Sequence, residues 1–274
     1  MTSPILSRSQ IPAARRIVVK VGSSSISGEN VGQITPLVDA LAAAHGRGSE
    51  VILVSSGAIA TGIPFLNLDA RPTDLATQQA AAAVGQNLLI YRYQDSLRRF
   101  AIVAGQVLLT AGDLENPTHR GNAQRAMERL LDLRILPIVN ENDTVATHEI
   151  RFGDNDRLAA LVSQLVDADV LVLLSDIDAL YTRPPLDAGA VKITDVAFDD
   201  DLARVEFGDI GTAGVGTGGA GTKVAAAKLA ASTGTPVLLA ATGDVAAALA
   251  GADIGTWFAA APASAPADRP ASAD

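Results

Sequence analysis

The chain has 274 residues, enough for one large domain or two modest ones, and is 48% hydrophobic but only 4% aromatic. Its net charge of −9 argues against a nucleic-acid binder, which usually carries a basic face, and the absence of cysteine excludes disulfides and thiolate chemistry. The three histidines, His45, His119 and His148, lack metal-type spacing, and no run is apolar enough for a signal peptide or a membrane span, so the sequence reads as a soluble cytoplasmic protein.

In chain order, residues 16–22 ("RIVVKVG") are a short apolar run ending at glycine, which predicts a buried strand entering a tight turn. Residues 34–48 read as a helix closed by glycine, and residues 50–58 ("EVILVSSGA") as a second buried strand with a small-residue exit. A long helix follows over 74–100, bent or broken at Gly85. Further strands over 101–109 and 135–140 flank a helix over 120–134. The helix over 155–168 leads into the strongest buried strand, "DVLVLLSD" at 169–176. After a less regular stretch at 178–213, whose acidic run at 199–201 reads as a solvated turn, a glycine loop opens a helix over 223–232. A strand over 236–240, a helix over 244–250 and a short strand over 255–258 complete the order.

Strands alternating with helices predict an α/β fold with a mostly parallel sheet covered on both faces and right-handed crossovers. Residues 15–260 form the domain; residues 1–14 read as a flexible extension and the Ala/Pro/Ser-rich residues 261–274 as a disordered tail.

The glycine loop reads "GVGTGGAGTKVAAAK" (214–228). Gly216 and Gly221 have the separation of a Walker loop, but Thr222 and Lys223 stand in reversed order and the loop lies late in the chain, so it is not a P-loop. Only four of the 21 basic residues are lysine: Lys20, Lys192, Lys223 and Lys228. Where arginine serves as the generic cation, a retained lysine points to a need for a compact ammonium.

Ligands of open parallel sheets bind beyond the carboxyl ends of the strands. There stand Lys20 with Gly22 and Ser23, "SSGA" at 55–58, "NENDTV" at 140–145 with "GDND" at 153–156, and Ser175 with Asp176. Singly, each has a plain structural explanation: Gly22 and Gly57 turn the chain, Asp154 or Asn155 caps a helix, and Asp143, like Ser175 and Asp176, closes a turn. Four successive strand exits of this kind favour a ligand site. Lys223 is the hardest to explain structurally, because a helix N-terminus disfavours a cation by a few tenths to about 1 kcal/mol. An anion shared between its ammonium and the free amides accounts for it, with Lys20 approaching from the first strand and Asp154 or Asp156 holding both ammonium groups.

The runs "VVKVGSSSI", "VSSGAIATG", "AAVGQ", "GQVLLT", "PIVNENDTVA", "FGDNDRLAALVS", "LLSDIDALYT" and "GVGTGGAGTKVAAAKLA" resemble the glutamate 5-kinases of the amino acid kinase superfamily over residues 15–260. The pair "VNENDTVA" and "GDND" is the most specific part. The resemblance implies a three-layer αβα sandwich in which Lys20 and Lys223 contact the ATP phosphates and Asp156 organises both. It implies that Ser56, Asp143 and Asn155 hold glutamate, with Asp143 receiving the ammonium. Gly22, Ser23, Ser175, Asp176 and the loop residues Thr217, Gly218, Gly219, Ala220, Gly221, Thr222 and Lys223 would join Lys20 in binding ATP with Mg2+. The implied reaction phosphorylates the γ-carboxylate of L-glutamate, the first step of proline biosynthesis, in a homo-oligomer with feedback inhibition by proline and with no nucleic-acid or membrane partner.

The chain departs from the family pattern at Ser23, where threonine is common, and at Ala220, where methionine is common. The C-terminal PUA domain of many members is expected to be absent. Alternatives are a kinase of another acid or phosphate acceptor (acetylglutamate, aspartate, carbamate or a nucleoside monophosphate) and a catalytically silent amino-acid sensor. The retained Lys20 and Lys223 speak against the sensor. A nicotinamide-binding dehydrogenase would want G-x-G-x-x-G after the first strand, where this chain has "GSSSIS".

Overall fold

A computed structural model describes residues 4–67, 72–145, 155–207 and 219–262. In chain order the elements are β1 (Arg16–Val21), α1 (Ile34–Gly46), β2 (Glu50–Ser55), α2 (Ala58–Gly62), α3 (Leu75–Leu97), β3 (Ala104–Leu109), α4 (Ala111–Glu115), α5 (Pro117–Asp132) and β4 (Leu136–Glu141). There follow α6 (Asn155–Leu165), β5 (Val170–Ser175), β6 (Leu180–Tyr181), β7 (Lys192–Ile193), β8 (Asp195–Val196), α7 (Ala220–Ser232), β9 (Val237–Ala241), α8 (Val245–Leu249) and β10 (Thr256–Phe258).

Eight strands form one sheet in the order β3-β4-β2-β1-β5-β9-β10-β8, parallel throughout except where β10 runs against β9. Every strand predicted from apolar runs is present. The irregular stretch supplies the remaining pieces: β6 and β7 make a two-stranded antiparallel ribbon, and β8 closes the sheet edge against β10.

Side-chain parity divides the core. Ile17, Val19 and Val21 of β1 pack in one layer with α1, α3 and α8, whereas Val18 packs in the other with α6 and α7. Successive strand residues point to opposite faces, so Lys20 takes the α6/α7 side. By the same rule Ser55 and Asn140, two residues beyond Leu53 and Ile138, take the α3 side. From β1 the chain passes to β2, then to the edge strand β3, back to β4 between β3 and β2, and then to the other flank of β1 with β5 and β9. This reversal beside β1 places a crevice at the carboxyl ends of the central strands.

Two expectations require correction. Gly85 does not break the long helix, since α3 runs unbroken from Leu75 to Leu97. Its lack of a side chain serves close packing: a Cβ there would lie 1.8 Å from the Ala58 carbonyl oxygen, and one at Gly62 would lie 1.9 Å from that of Ala81. The amino-terminal segment is also not a loose extension from residue 4 onward. Arg8–Ala13 forms a 3-10 helix whose Ile11 is fully buried and whose Arg8 pairs with Asp195 and Asp253. The tail beyond residue 262 lies outside the described residues.

Candidate active site

Lys20, near the end of β1, and Lys223, on α7, converge on opposite oxygens of one carboxylate. Lys20 Nζ pairs with Asp156 Oδ1, and Lys223 Nζ donates to Asp156 Oδ2 at 3.1 Å. Asp156 is completely buried, and both lysines are also buried. It occupies the first turn of α6, where the positive end of the helix dipole favours a carboxylate. Three charged groups removed from water would be expensive without mutual pairing, so this arrangement has to be compensated by geometry. Of the two acids in "GDND" that could have held the ammonium groups, Asp156 does so; Asp154 lies outside the described residues.

The other two lysines are structural: Lys192 pairs with Asp178 at 2.8 Å, and Lys228 Nζ donates to the Asp200 carbonyl. The Lys192 ammonium and the Tyr181 hydroxyl hold the Asp178 carboxyl below its ordinary range, despite an opposing effect of burial.

The helix carrying Lys223 begins three residues earlier than the sequence suggests, at Ala220 with Gly219 as its cap. The Lys223 amide donates to the Gly219 carbonyl and closes the first turn. The amides of Ala220, Gly221 and Thr222 precede that bond and have no intrahelical partner. The Thr222 hydroxyl turns back to the Gly219 carbonyl at 2.9 Å. Thr217 and Gly218, also predicted to bind nucleotide, lie outside the described residues.

Beside the ion cluster, the turn after β1 is clasped to the exits of β5 and β9. Ser24 and Ser25 donate to the two oxygens of Asp176 at 2.8 and 2.7 Å. The Thr242 hydroxyl lies 3.0 Å from Ser25 Oγ and 3.2 Å from the Ser175 carbonyl. Gly22 sits so near the cluster that a Cβ on it would lie 3.8 Å from Lys20 Nζ. Gly57 adopts a left-handed conformation (φ 97°) and abuts Ser23, which joins the β1 and β2 turns. Ser23, Ser175 and Asp176 thus lie at the joined exits of β1, β2 and β5, with Ser24, Ser25 and Thr242 making the clasp.

The third part of the site is an amide network that joins α3 to the first residue of α6. Asn155 Nδ2 lies 2.8 Å from the Ser55 carbonyl, 2.7 Å from Asn140 Oδ1 and 3.0 Å from Ser56 Oγ. Asn140 in turn donates to Gln86 Oε1 of α3 at 2.7 Å. Ser55 donates to the Ser56 carbonyl and lies 2.9 Å from the buried Tyr93 hydroxyl, whose burial raises its pKa well above the ordinary phenol value. Ser56 and Asn155 therefore meet. Asp143 stands partly exposed in the turn after β4, at the same edge of the sheet.

Comparison with known proteins places this geometry. The model of the amino acid kinase family matches residues 15–241, and the chain belongs to that family. Within it, the chain is 74% identical to the glutamate 5-kinase of Leifsonia xyli subsp. xyli over 97% of this chain and 98% of that protein. It is 76% identical to the glutamate 5-kinase of Clavibacter sepedonicus, over 92% of this chain and 97% of that protein. The glutamate 5-kinase of Salinispora arenicola is 54% identical over 92% of this chain, but only 69% of its own length is covered. Among solved structures, carbamate kinase from Giardia lamblia bound to AMP-PNP shares the fold at 15% identity, with a TM-score of 0.64 over 91% of this chain and all of that one.

Proposed function

We infer that the protein transfers the γ-phosphoryl group of ATP to the γ-carboxylate of L-glutamate, giving L-glutamyl 5-phosphate for proline biosynthesis. The observation that carries the phosphotransfer reading is the buried Asp156 carboxylate gripping Lys20 and Lys223 from two elements. Glutamate as acceptor is supported by the names of the relatives at 74–76% identity and by the Ser56–Asn155 pair beside the ion cluster.

In this reading Lys20 and Lys223 neutralise charge spreading over the transferring phosphoryl oxygens, and the amides at the start of α7 share it. Asp156 holds the ammonium groups in place before substrate arrives, so little reorganisation is needed during transfer. Ser56, Asn155 and Asp143 hold the amino acid, with Asp143 facing its ammonium. Asp176 keeps the β1 turn against the nucleotide side. The acceptor carboxylate is already ionised at neutral pH, so no side chain has to remove a proton from it.

The described residues contain no group of three acidic or histidine side chains able to cage a metal. This donor set fits Mg2+ carried chiefly by nucleotide phosphates and water, where it would neutralise phosphate charge.

The test traps the acyl phosphate as its hydroxamate in the presence of ATP, Mg2+ and a panel of L-glutamate, N-acetyl-L-glutamate and L-aspartate. Strong product with L-glutamate alone is expected. Preference for another acid would overturn the acceptor, and no product from folded, ATP-binding protein would overturn the kinase reading.

A further inference from the structure

The amide network beneath Ser56 has a direction, and the direction starts at a residue remote from the ion cluster. We propose that Gln86, on α3, is a positioning residue for the acidic substrate, acting through Asn140 and Asn155 on the Ser56 hydroxyl. The proposal rests on the reading of the site as one that holds an acidic acceptor.

The argument follows from which atoms can donate. A side-chain amide nitrogen only donates and its oxygen only accepts. Gln86 Oε1 takes a hydrogen bond from Asn140 Nδ2 at 2.7 Å, which turns Asn140 Oδ1 away from α3. That oxygen then accepts from Asn155 Nδ2 at 2.7 Å and from the Glu141 amide at 2.9 Å. The two protons of Asn155 Nδ2 are shared among three acceptors, Asn140 Oδ1 at 2.7 Å, the Ser55 carbonyl at 2.8 Å and Ser56 Oγ at 3.0 Å; toward this nitrogen Ser56 Oγ can only accept, so the Ser56 proton points elsewhere. The Asn155 oxygen is likewise turned away from the network.

Burial gives the chain its stiffness. Gln86, Asn140 and Asn155 are each at most 9% exposed, whereas Ser56 is only partly covered. Water therefore cannot substitute for a missing partner at the inner end, but a ligand can meet the outer end. A reversed Asn140 amide would set two donors against each other at Asn155. The network thereby presents Ser56 as a donor, which suits a carboxylate. The chain starts on α3 and ends at the Ser56 hydroxyl, which in this reading meets the acid substrate, so its effect belongs to that substrate and not to the nucleotide.

The experiment measures KM for L-glutamate and for ATP separately in Gln86→Met, which keeps the length but removes the amide acceptor, and in Gln86→Glu, which keeps an acceptor oxygen. Melting temperatures are recorded alongside. Gln86→Met is expected to raise KM for glutamate about tenfold, with KM for ATP and kcat within about twofold of wild type. Gln86→Glu is expected to lie nearer wild type in the glutamate KM than Gln86→Met does.

An unchanged glutamate KM in Gln86→Met, a parallel rise in both KM values, or a Gln86→Glu variant no better than Met would each overturn the proposal. If Gln86→Met does not fold, Gln86→Asn, whose shorter side chain withdraws the acceptor, is judged by the same split between the two KM values. The wild-type enzyme separates this idea from the reading beneath it. If another acid is turned over in place of glutamate, the acceptor assignment fails and the positioning role is judged on that acid; if no acid is turned over, both fail.

Discussion

At the scale of single residues, Asp156 decides how the site is held. A carboxylate with no exposed surface lies between two buried ammonium groups, so removing its charge takes from both cations the partner they share. Deleting one partner of a buried ion pair typically costs about 3–5 kcal/mol. Losing a preorganised charge arrangement typically lowers turnover by about 10²–10³-fold. Asp156→Asn is therefore expected to melt well below wild type and to lose kcat by at least about 100-fold. Denaturant unfolding and initial rates on the folded fraction check this; a low melting point with wild-type turnover would make Asp156 a structural residue only. This cluster is largely legible in the sequence, because lysine is so scarce that Lys20 and Lys223 stand out and because Asp156 follows a strand exit. Gln86 is not singled out by the sequence, and Asn140 is marked only as the start of the strand exit "NENDTV". Each is an ordinary polar residue until α3 and β4 are brought side by side, and that contact is tertiary.

At the scale of elements, glycine marks two different needs that look alike in a sequence. Gly57 takes a left-handed turn, which its place after an apolar strand already suggests. Gly85 lies within a helical pattern, where local propensity alone predicts weakening, yet it is the point at which α2 and α3 touch backbone to backbone. The two effects can be weighed. Alanine in place of glycine gains at most about 1 kcal/mol of helix propensity. Its Cβ would approach the Ala58 carbonyl to 1.8 Å and the Gly62 nitrogen to 2.5 Å, atoms that can move only if a whole helix moves. Overpacking of this kind costs about 1–3 kcal/mol or more, so the clash prevails. Gly85→Ala is expected to destabilise the protein by about that amount. It should also raise KM for the acid substrate, since α2 follows directly from Ser56 and Gly57. Equilibrium unfolding and steady-state kinetics read both effects, and a variant more stable than wild type would refute the close-approach argument. The short pieces β6, β7 and β8 escape sequence reading for another reason: two residues are too few to show an alternation.

At the scale of the whole molecule, the fold separates what stabilises it from what reacts. The lysines, Asp156 and the amide network gather at the carboxyl ends of the central strands, whereas the amino-terminal segment enters the core before β1 begins. That segment reads as an extension because it is short, carries Pro12 and has no helical periodicity. Its anchoring depends on partners far along the chain, Asp195 and Asp253 for Arg8 and the main apolar layer for Ile11. The two anchors are unequal. The carboxylates paired with Arg8 are largely exposed, and exposed ion pairs contribute about 0–1 kcal/mol. Ile11 has no exposed surface, and truncating such a side chain to alanine costs about 2–5 kcal/mol. For a domain of this size, each kcal/mol corresponds to about 2–4 °C in melting temperature. Ile11→Ala is thus expected to lower the melting temperature by about 4–20 °C, and Arg8→Ala, which loses two such pairs, by about 8 °C at most. Both variants should keep wild-type KM values for ATP and the acid substrate. Thermal melts beside steady-state kinetics distinguish the outcomes: an undisturbed melt in Ile11→Ala would show the segment to be dispensable, and altered KM values would show that the amino ends of the strands are coupled to the reacting edge.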